Sequence, residues 1–213
     1  MARAAINRGT TAGDGTGETA FSAFTKVNDN FIELYDLSHP GYTAGAWYWE
    51  GTDGGVSAGG NPSANTIYAM PTRIHKPVTL QSLGVTVSTP VASSTGILGI
   101  YSNVAGRPAA KLLETAAIST ATAADVSVGA SITLQVGWYW LASILSHAPQ
   151  MNTASNQNHV LNQWIGNAGP APQYNTPLGL SVAQTYGSLP GTMPAMDYAF
   201  SGNPVPFISF RVA

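Results

Sequence analysis

Charged side chains are distributed very unevenly along this chain of 213 residues, and that distribution constrains its fold more than any other feature. The chain has eight basic and ten acidic side chains, and residues 1–53 contain ten of them. The stretch from Val126 to Phe210 contains one, Asp197. A globular surface with so few charges must be made polar by Ser, Thr, Asn, Gln and Gly. The asymmetry predicts two parts with different roles.

Charge and composition exclude several classes of protein. The formal net charge of −2 provides no electrostatic footprint for a phosphate backbone, so we expect no nucleic-acid partner. The absence of cysteine excludes disulfide frameworks, thiolate-ligated metals and thiol nucleophiles. The first ten residues lack the apolar core of a signal peptide. The longest apolar stretch, Trp138 to Leu145, is too short to span a bilayer, so we expect no membrane insertion.

The N-terminal part is predicted to be an extended arm followed by a short helix. Residues 9–17 contain four glycines and favour irregular structure, and Asp14 or Thr16 is suited to cap a following helix. Apolar residues at spacings of three, four and three then predict a helix over residues 18–37, which Pro40-Gly41 ends. The stripe consists of Phe24, Val27, Phe31 and Leu34.

A helix of this length is marginal alone in water, so its stripe should pack against its own domain, sister copies or a larger partner. We interpret residues 41–65, rich in glycine, as a linker with one short aromatic strand. Residues 66–213 are predicted to form a β-domain. Short segments with alternating apolar residues, separated by polar turns, indicate a jelly-roll-like sandwich, so the chain should be mainly β. The candidate strands are residues 66–70, 78–88, 96–102, 111–116, 126–128, 131–136, 138–145, 160–165, 178–182, 196–200 and 207–212.

The N-terminal segment contains Gly-Thr-Thr at residues 9–11, Gly-Asp-Gly-Thr-Gly at 13–17 and Ala-Phe-x-Lys-x-Asn-x-Asn-Phe at 23–31. It resembles a segment at the head of tailed-bacteriophage virion proteins of the tail-fibre and head-fibre type. There the segment precedes a variable C-terminal module, and the proteins are commonly trimers. The resemblance implies a virion location after assembly in the host cytoplasm. It also implies that residues 1–40 anchor the subunit to tail, collar or capsid proteins, with Phe21, Phe24, Val27, Phe31 and Leu34 as the assembly residues.

A second group of motifs resembles a β-sandwich module of phage fibres and bacterial surface proteins. The motifs are Leu-Gly-Ile-Tyr at 98–101, Gly-x-Pro followed by Leu-Leu between 106 and 113, and Gly-x-Tyr-Trp-Leu-Ala at 137–142. This resemblance implies a fold more than a function. For Trp138, Tyr139 and Trp140, strand alternation predicts that Trp138 and Trp140 share one face and Tyr139 points to the other, with a place in the core.

Catalytic and cofactor motifs are absent from the sequence. There is no Gly-x-Ser-x-Gly elbow, dinucleotide loop or Walker motif, and the four histidines lack zinc-ligand spacing. Glu114 and Asp125 could be neighbours across a hairpin, but solvated turn residues are the simpler interpretation. We therefore expect a protein that is not an enzyme and that uses no cofactor or metal.

Three aromatic residues lie among amide side chains in a charge-free region and are candidates for glycan binding. Flat rings can stack on the apolar faces of sugars, while amides bond to sugar hydroxyls. Loop aromatics that close the ends of the sandwich are the alternative interpretation. The candidate glycan-binding residues are Trp164, Gln173, Tyr174 and Tyr186.

The sequence thus predicts a virion fibre or spike subunit, anchored by its N-terminus, that presents a sandwich for attachment to host-surface glycans. A trimer would multiply weak glycan contacts into avidity. Three alternatives stay open: a capsid or tail decoration (cement) protein, an enzyme acting on cell-surface glycans, and a carbohydrate-binding module of a secreted enzyme. The last alternative gives the N-terminal arm and helix no role.

Overall fold

The computed structural model describes residues 6–8, 10, 15–37, 39–49, 56–154, 177–200 and 204–213, with the backbone alone at 33–37. The chain divides into two compact units, Met1–Gly41 and Tyr42–Ala213. Within the described residues it is mainly β, with one short helix and two antiparallel sheets in a sandwich-like arrangement. The predicted fold class is confirmed.

The first unit contains helix α1 (Ala20–Leu37). Its start is set by Thr19, whose Oγ1 accepts a hydrogen bond of 3.2 Å from the Ser22 N–H, as an N-cap residue does. Neither Asp14, which lies outside the described residues, nor Thr16 is needed for that role, so the predicted cap was wrong by three residues or more. The end of α1 at Leu37 agrees with the predicted stop.

The second unit contains the strands, numbered here in chain order. Within the described residues, six strands form the antiparallel sheet A and seven form the antiparallel sheet B. Sheet A consists of β1 (Trp47–Tyr48), β2 (Val56–Gly60), β4 (Val78–Thr89), β8 (Ala124–Leu134), β10 (Gln150–Ala154) and β13 (Ser209–Val212). Sheet B consists of β3 (Thr66–Ile74), β5 (Thr95–Val104), β6 (Arg107–Glu114), β7 (Ile118–Ser119), β9 (Gly137–Leu145), β11 (Gly179–Ala183) and β12 (Asp197–Ala199).

Strand β4 is the centre of sheet A. Gly84 pairs with Ser127 of β8 and with Ser209 of β13, so these two strands lie on opposite edges of β4. Strand β10 pairs with the far end of β4 on the same edge as β13. Strand β1 lies beyond β13, and β2 lies beyond β10. In sheet B the strand order is β12-β11-β3-β9-β5-β6, with β7 beside β6 on the edge of β5.

Apolar side chains from both sheets fill the space between them. Strand β4 shows how alternation achieves this. Val78 and Leu80 point inward, the register shifts between Leu80 and Ser82, and Val85 and Val87 then point inward again. Tyr139 packs against this core and Trp140 lies on the opposite side of β9, so the predicted alternation is confirmed.

The outer face of sheet B is covered by residues 184–196, which we call the covering segment. Leu189 and Met193 of this segment pack on Trp140, Ile144 and neighbouring side chains to form a second apolar cluster. The Tyr101 hydroxyl donates to the Pro190 carbonyl at 2.6 Å, and the Lys111 N–H donates to the Gly191 carbonyl at 2.8 Å. Burial, together with the charge of Glu114, raises the pKa of Tyr101, so the hydroxyl remains a donor.

Two local differences from the sequence prediction have simple causes. The predicted linker, residues 41–65, contains β1 as the expected aromatic strand and also β2, which pairs with β10. A valine followed by small residues carries little strand signal, so pairing with a neighbour decides the structure there. The two segments predicted at 126–128 and 131–136 form the single strand β8, because Gly129 pairs with Ser82 of β4 and the register shift beside this pair does not interrupt the strand. Residues 160–165 lie outside the described residues.

Candidate functional site

The predicted assembly residues lie on α1. Phe21, Phe24 and Phe31 are 84%, 69% and 53% exposed in the single chain. Ile32 is 60% exposed and lies on the same side of the helix as these three rings, because positions 21, 24, 31 and 32 fall within one arc of the helical wheel. Val27 is half-buried. The side chain of Leu34 lies outside the described residues, so its predicted role stays a prediction.

Polar contacts fix the first turns of α1 on the side away from the rings. Glu18 accepts hydrogen bonds from the Asn7 N–H at 2.8 Å and the Ser22 hydroxyl at 3.0 Å, and its carboxylate is 2.6 Å from Lys26 Nζ. The hydrogen bond from Lys26, aided by those from Ser22 and Asn7, holds the pKa of Glu18 below its usual value. The helix therefore has a satisfied polar side and an aromatic side that its own unit leaves exposed.

Of the four predicted glycan-binding residues, the structure describes Tyr186 alone, so the predicted site stays a prediction. Trp164, Gln173 and Tyr174 lie outside the described residues. Tyr186 belongs to the covering segment, is half-buried against the cluster on sheet B, and donates its N–H to Asn65 Oδ1 at 2.8 Å. The contacts of Tyr186 correspond to the alternative interpretation, that of an aromatic residue that closes the sandwich.

Glu114 and Asp125 lie on different sheets, each with its own partners. Glu114 on β6 accepts hydrogen bonds from Lys111 Nζ at 2.6 Å, the Ser188 hydroxyl at 2.7 Å and the Leu189 N–H at 3.0 Å. Burial alone would raise the pKa of Glu114, but these bonds and the charge of Lys111 hold it below its usual value. The Glu114 carboxylate thus anchors the covering segment.

A groove on the outer face of sheet A has the character of a binding site. We call it the tryptophan groove; it has a cavity volume of about 510 Å³. Trp47 and Trp49 line it and are 38% and 56% exposed. Hydroxyl, amide, carboxylate and guanidinium groups line the remainder together with valine and phenylalanine side chains. The lining residues are Trp47, Trp49, Val56, Gly84, Val85, Thr86, Asp125, Val126, Ser127, Asn152, Phe207, Ser209 and Arg211.

Strand pairing explains why the two indoles face outward. Trp47 pairs with Arg211 and Tyr48 with Phe210, so β1 is the strand next to β13. Tyr48 points inward and stacks on the buried Phe210, with ring centroids 6.1 Å apart and ring planes 25° apart. Period-two alternation then sends Trp47 and Trp49 to the opposite face. Trp49 meets Phe207 edge-on at 6.1 Å.

Gly84 forms the floor of the groove under Trp47. A Cβ atom at Gly84 would come within 2.9 Å of Trp47 Cη2 and Cζ3. Only the absence of a side chain lets the indole lie this close to β4. The position of Trp47 therefore depends on a glycine that is far away in the sequence.

Polar groups in the groove are held by short local bonds. Asp125 Oδ1 accepts a hydrogen bond of 2.6 Å from the Thr86 hydroxyl on the neighbouring strand. Arg211 Nε donates to the Gly45 carbonyl at 3.0 Å, which fixes the guanidinium beside Trp47. Among the described lining residues there is one carboxylate and neither histidine nor lysine, so the groove presents no acid–base or nucleophile–base pair.

Sequence reasoning missed this groove, although one signal was present. Trp47-Tyr48-Trp49 has the same alternation as Trp138-Tyr139-Trp140, and only the surroundings of each strand decide which face is covered. Asp125 and Arg211 carried no local signal, because register alone brings β8 and β13 to either side of β4.

Among the described residues, no group of three histidine or acidic side chains converges as a metal site. No helix in that part of the chain has the length and hydropathy needed to cross a membrane.

No protein-family model matches the chain, and no curated protein matches it in sequence.

Proposed function

We propose that this protein is a structural subunit of a tailed-bacteriophage particle, of the fibre or spike type. In this proposal residues 1–40 assemble the subunit with its own copies, as a trimer, and with other virion proteins. The sandwich of the second unit, Tyr42–Ala213, is directed outward for attachment to host-surface glycans. The protein catalyses no reaction and uses no cofactor.

The observation that carries this proposal is the exposed aromatic side of α1. Phe21, Phe24, Phe31 and Ile32 all exceed half exposure in the single chain. Burying apolar surface is worth about 25 cal/mol per Å², so four large side chains on one stripe favour association. A stripe repeated on each copy can be covered by a short helical bundle, in which every chain supplies the same face.

The resemblance of the N-terminal motifs to phage fibre proteins supports the proposal that this assembly takes place in a phage particle. The low charge of the second unit also suits an external protein, because a surface of hydroxyls and amides depends little on ion pairs that salt would screen. A capsid or tail decoration protein would share the assembly helix but have no need of a glycan site. Host adsorption therefore separates the two functions.

The oligomeric state of the full chain tests the proposal. Sedimentation equilibrium of the unaltered protein should give three times the chain mass, and Phe31→Asp should shift it toward monomer, because a carboxylate would be buried in the bundle. Asp29→Lys is the matched control, since it changes charge on α1 outside the arc that holds the four exposed apolar side chains and should leave the trimer intact. A monomeric wild-type chain, or a Phe31→Asp trimer as stable as wild type, would refute assembly through α1.

Particles provide the second measurement. Phage produced with Phe31→Asp as the only source of this protein should lack it, whereas Asp29→Lys particles should carry it at wild-type amounts. Antibody-labelled electron micrographs would locate it on tail or head. Particles that lack the protein but adsorb normally to the host would favour the decoration alternative.

A further inference from the structure

We propose that the tryptophan groove on sheet A binds a neutral oligosaccharide, with Trp47 and Trp49 as stacking platforms. The inference rests on the proposed function, since it assigns a site and a ligand class to the attachment role. It assigns that role to residues other than Trp164, Gln173, Tyr174 and Tyr186.

The two indoles can contact a ligand because their outer surfaces are not buried in the folded chain. On the same β1 segment, Tyr48 supplies the inward contact with Phe210, and Trp47 and Trp49 stay 38% and 56% exposed. Trp47 lies against Gly84 and Trp49 against Phe207, so each ring is supported from behind. Supported, exposed indoles lose little conformational entropy when a flat apolar surface stacks on them. The C–H face of a pyranose ring is such a surface.

The remaining lining matches sugar hydroxyls. Thr86, Ser127 and Asn152 offer groups that both donate and accept hydrogen bonds. Asp125 has one oxygen engaged by Thr86, and in the described part of the chain its second oxygen has no hydrogen-bond partner. Arg211 is held through Nε, which leaves its terminal nitrogens to donate. These groups alternate with apolar surface, as in small-ligand sites that fix orientation with a few polar contacts.

Charge and size narrow the class of ligand. The described lining residues include one anion, Asp125, and one cation, Arg211, and this balance favours neither a polyanionic nor a polycationic ligand. Its volume of about 510 Å³ lies within the range of about 300–1,000 Å³ typical of small-molecule sites. A short run of neutral pyranose units meets both conditions, whereas a folded protein partner would need a much broader contact area.

The test measures binding of the full-length protein to immobilised neutral tri- and tetrasaccharides of glucose, mannose, galactose and N-acetylglucosamine. Sialylated and uronic-acid oligosaccharides and an unstructured peptide serve as comparison ligands. At least one neutral ligand should bind, and Trp47→Ala and Trp49→Ala should each raise its Kd about tenfold or more, because each removes one stacking surface. Trp138→Ala is the matched control: it removes a half-buried indole on sheet B and should leave Kd unchanged.

Gly84→Ala is a second, subtler variant. It removes no group from the groove but pushes Trp47 away from β4, so Kd should rise while the circular dichroism spectrum stays that of wild type. Retained affinity in all three groove variants would overturn the proposal, as would binding confined to acidic ligands or to the peptide. Absence of binding to every neutral ligand at millimolar concentration would also overturn it.

The oligomeric state of the same samples separates this inference from the proposed function. A trimer that binds no neutral sugar refutes the groove and leaves assembly through α1 intact. A monomer whose sugar binding depends on Trp47 and Trp49 refutes the assembly role and leaves the groove intact. Monomeric and trimeric samples are to be compared at equal groove concentration, because trimers gain avidity on an immobilised ligand.

Discussion

The two outer faces of the sandwich consist of antiparallel strands, but they differ in whether another segment of the chain covers them. On sheet B, Ile144 and Trp140 point outward, and the covering segment buries them under Leu189 and Met193. On sheet A, the outward positions of β4 and β8 are small or polar, such as Thr86 and Ser127, and within the described residues the tryptophan groove lies open there. Apolar outward residues require a cover, whereas small polar residues leave a face available for binding.

Two glycines, one on each sheet, allow the difference between the two faces to be tested. Gly99 on sheet B receives the Leu189 side chain, and Gly84 on sheet A receives the Trp47 indole. Leu189 is 2% exposed, but Trp47 is 38% exposed. A glycine thus permits close packing on both faces: at Gly99 it lets the covering segment pack on sheet B, and at Gly84 it lets the exposed Trp47 indole lie against sheet A.

The largest expected effect comes from the covered face. Trp140 is 1% exposed, and its indole N–H donates to Asn103 Oδ1 at 2.9 Å. Trp140→Ala should lower the free energy of unfolding by about 3–5 kcal/mol, because it leaves a cavity and an amide without its donor. Urea denaturation followed by circular dichroism measures this. A loss under 1 kcal/mol would mean that the covering segment does not seal sheet B.

The glycine pair gives the next largest effect. At Gly99 a Cβ atom would come within 2.5 Å of Leu189 Cδ1 and 3.0 Å of the Leu113 carbonyl oxygen. Gly99→Ala should therefore cost about 1–3 kcal/mol by overpacking a buried contact. Gly84→Ala should cost less than about 1 kcal/mol, because the exposed Trp47 ring can move outward. Thermal unfolding of both variants compares them, and equal losses would contradict the proposed difference between the faces.

Glu114 tests the anchor of the covering segment through pH. Its pKa is lowered in the folded protein, so its stabilising effect is complete above its ordinary value of 4.5 and is lost as the pH falls below that value. Glu114→Gln should cost about 1–2 kcal/mol at pH 7, since it exchanges charge-assisted hydrogen bonds for weaker ones. The difference from wild type should shrink in denaturation curves at progressively lower pH below 4.5. A constant difference would assign the anchor to other contacts.

The smallest effect on stability is expected in the groove. Trp49→Ala should change the free energy of unfolding by less than about 0.5 kcal/mol, because this indole is more than half exposed. The same urea measurement serves here, and Trp140→Ala provides the scale. A loss above 2 kcal/mol would make Trp49 a packing residue and weaken the case for a binding platform.

Much of the fold could be predicted from local pattern. Alternation in β9 correctly predicted that Tyr139 points toward the core and Trp140 to the opposite face. The spacing of Phe24, Val27 and Phe31 correctly predicted a helix. The N-cap was misassigned because Asp14 and Thr16 are as suitable by residue type as Thr19. Cap geometry depends on backbone angles that residue type does not specify.

The tryptophan groove could not be predicted by the same means. Trp47, Gly84, Asp125 and Arg211 come from four strands, and their meeting depends on register and strand order rather than on spacing. Local patterns specify which side of a strand a residue occupies but not which strand lies beside it. Amide-rich surroundings instead directed attention to residues 156–175, which lie outside the described residues.

The place of β13 between β1 and β4 has a consequence for biosynthesis. The hydrogen bond from Arg211 to Gly45 joins residues 166 positions apart. Strand β1 pairs with β13, so it cannot join sheet A until residues 209–212 have been synthesised. Such distant pairing is slow to close and comes late in folding. A ribosome-bound nascent chain therefore has no finished tryptophan groove, which is completed only when β13 joins sheet A.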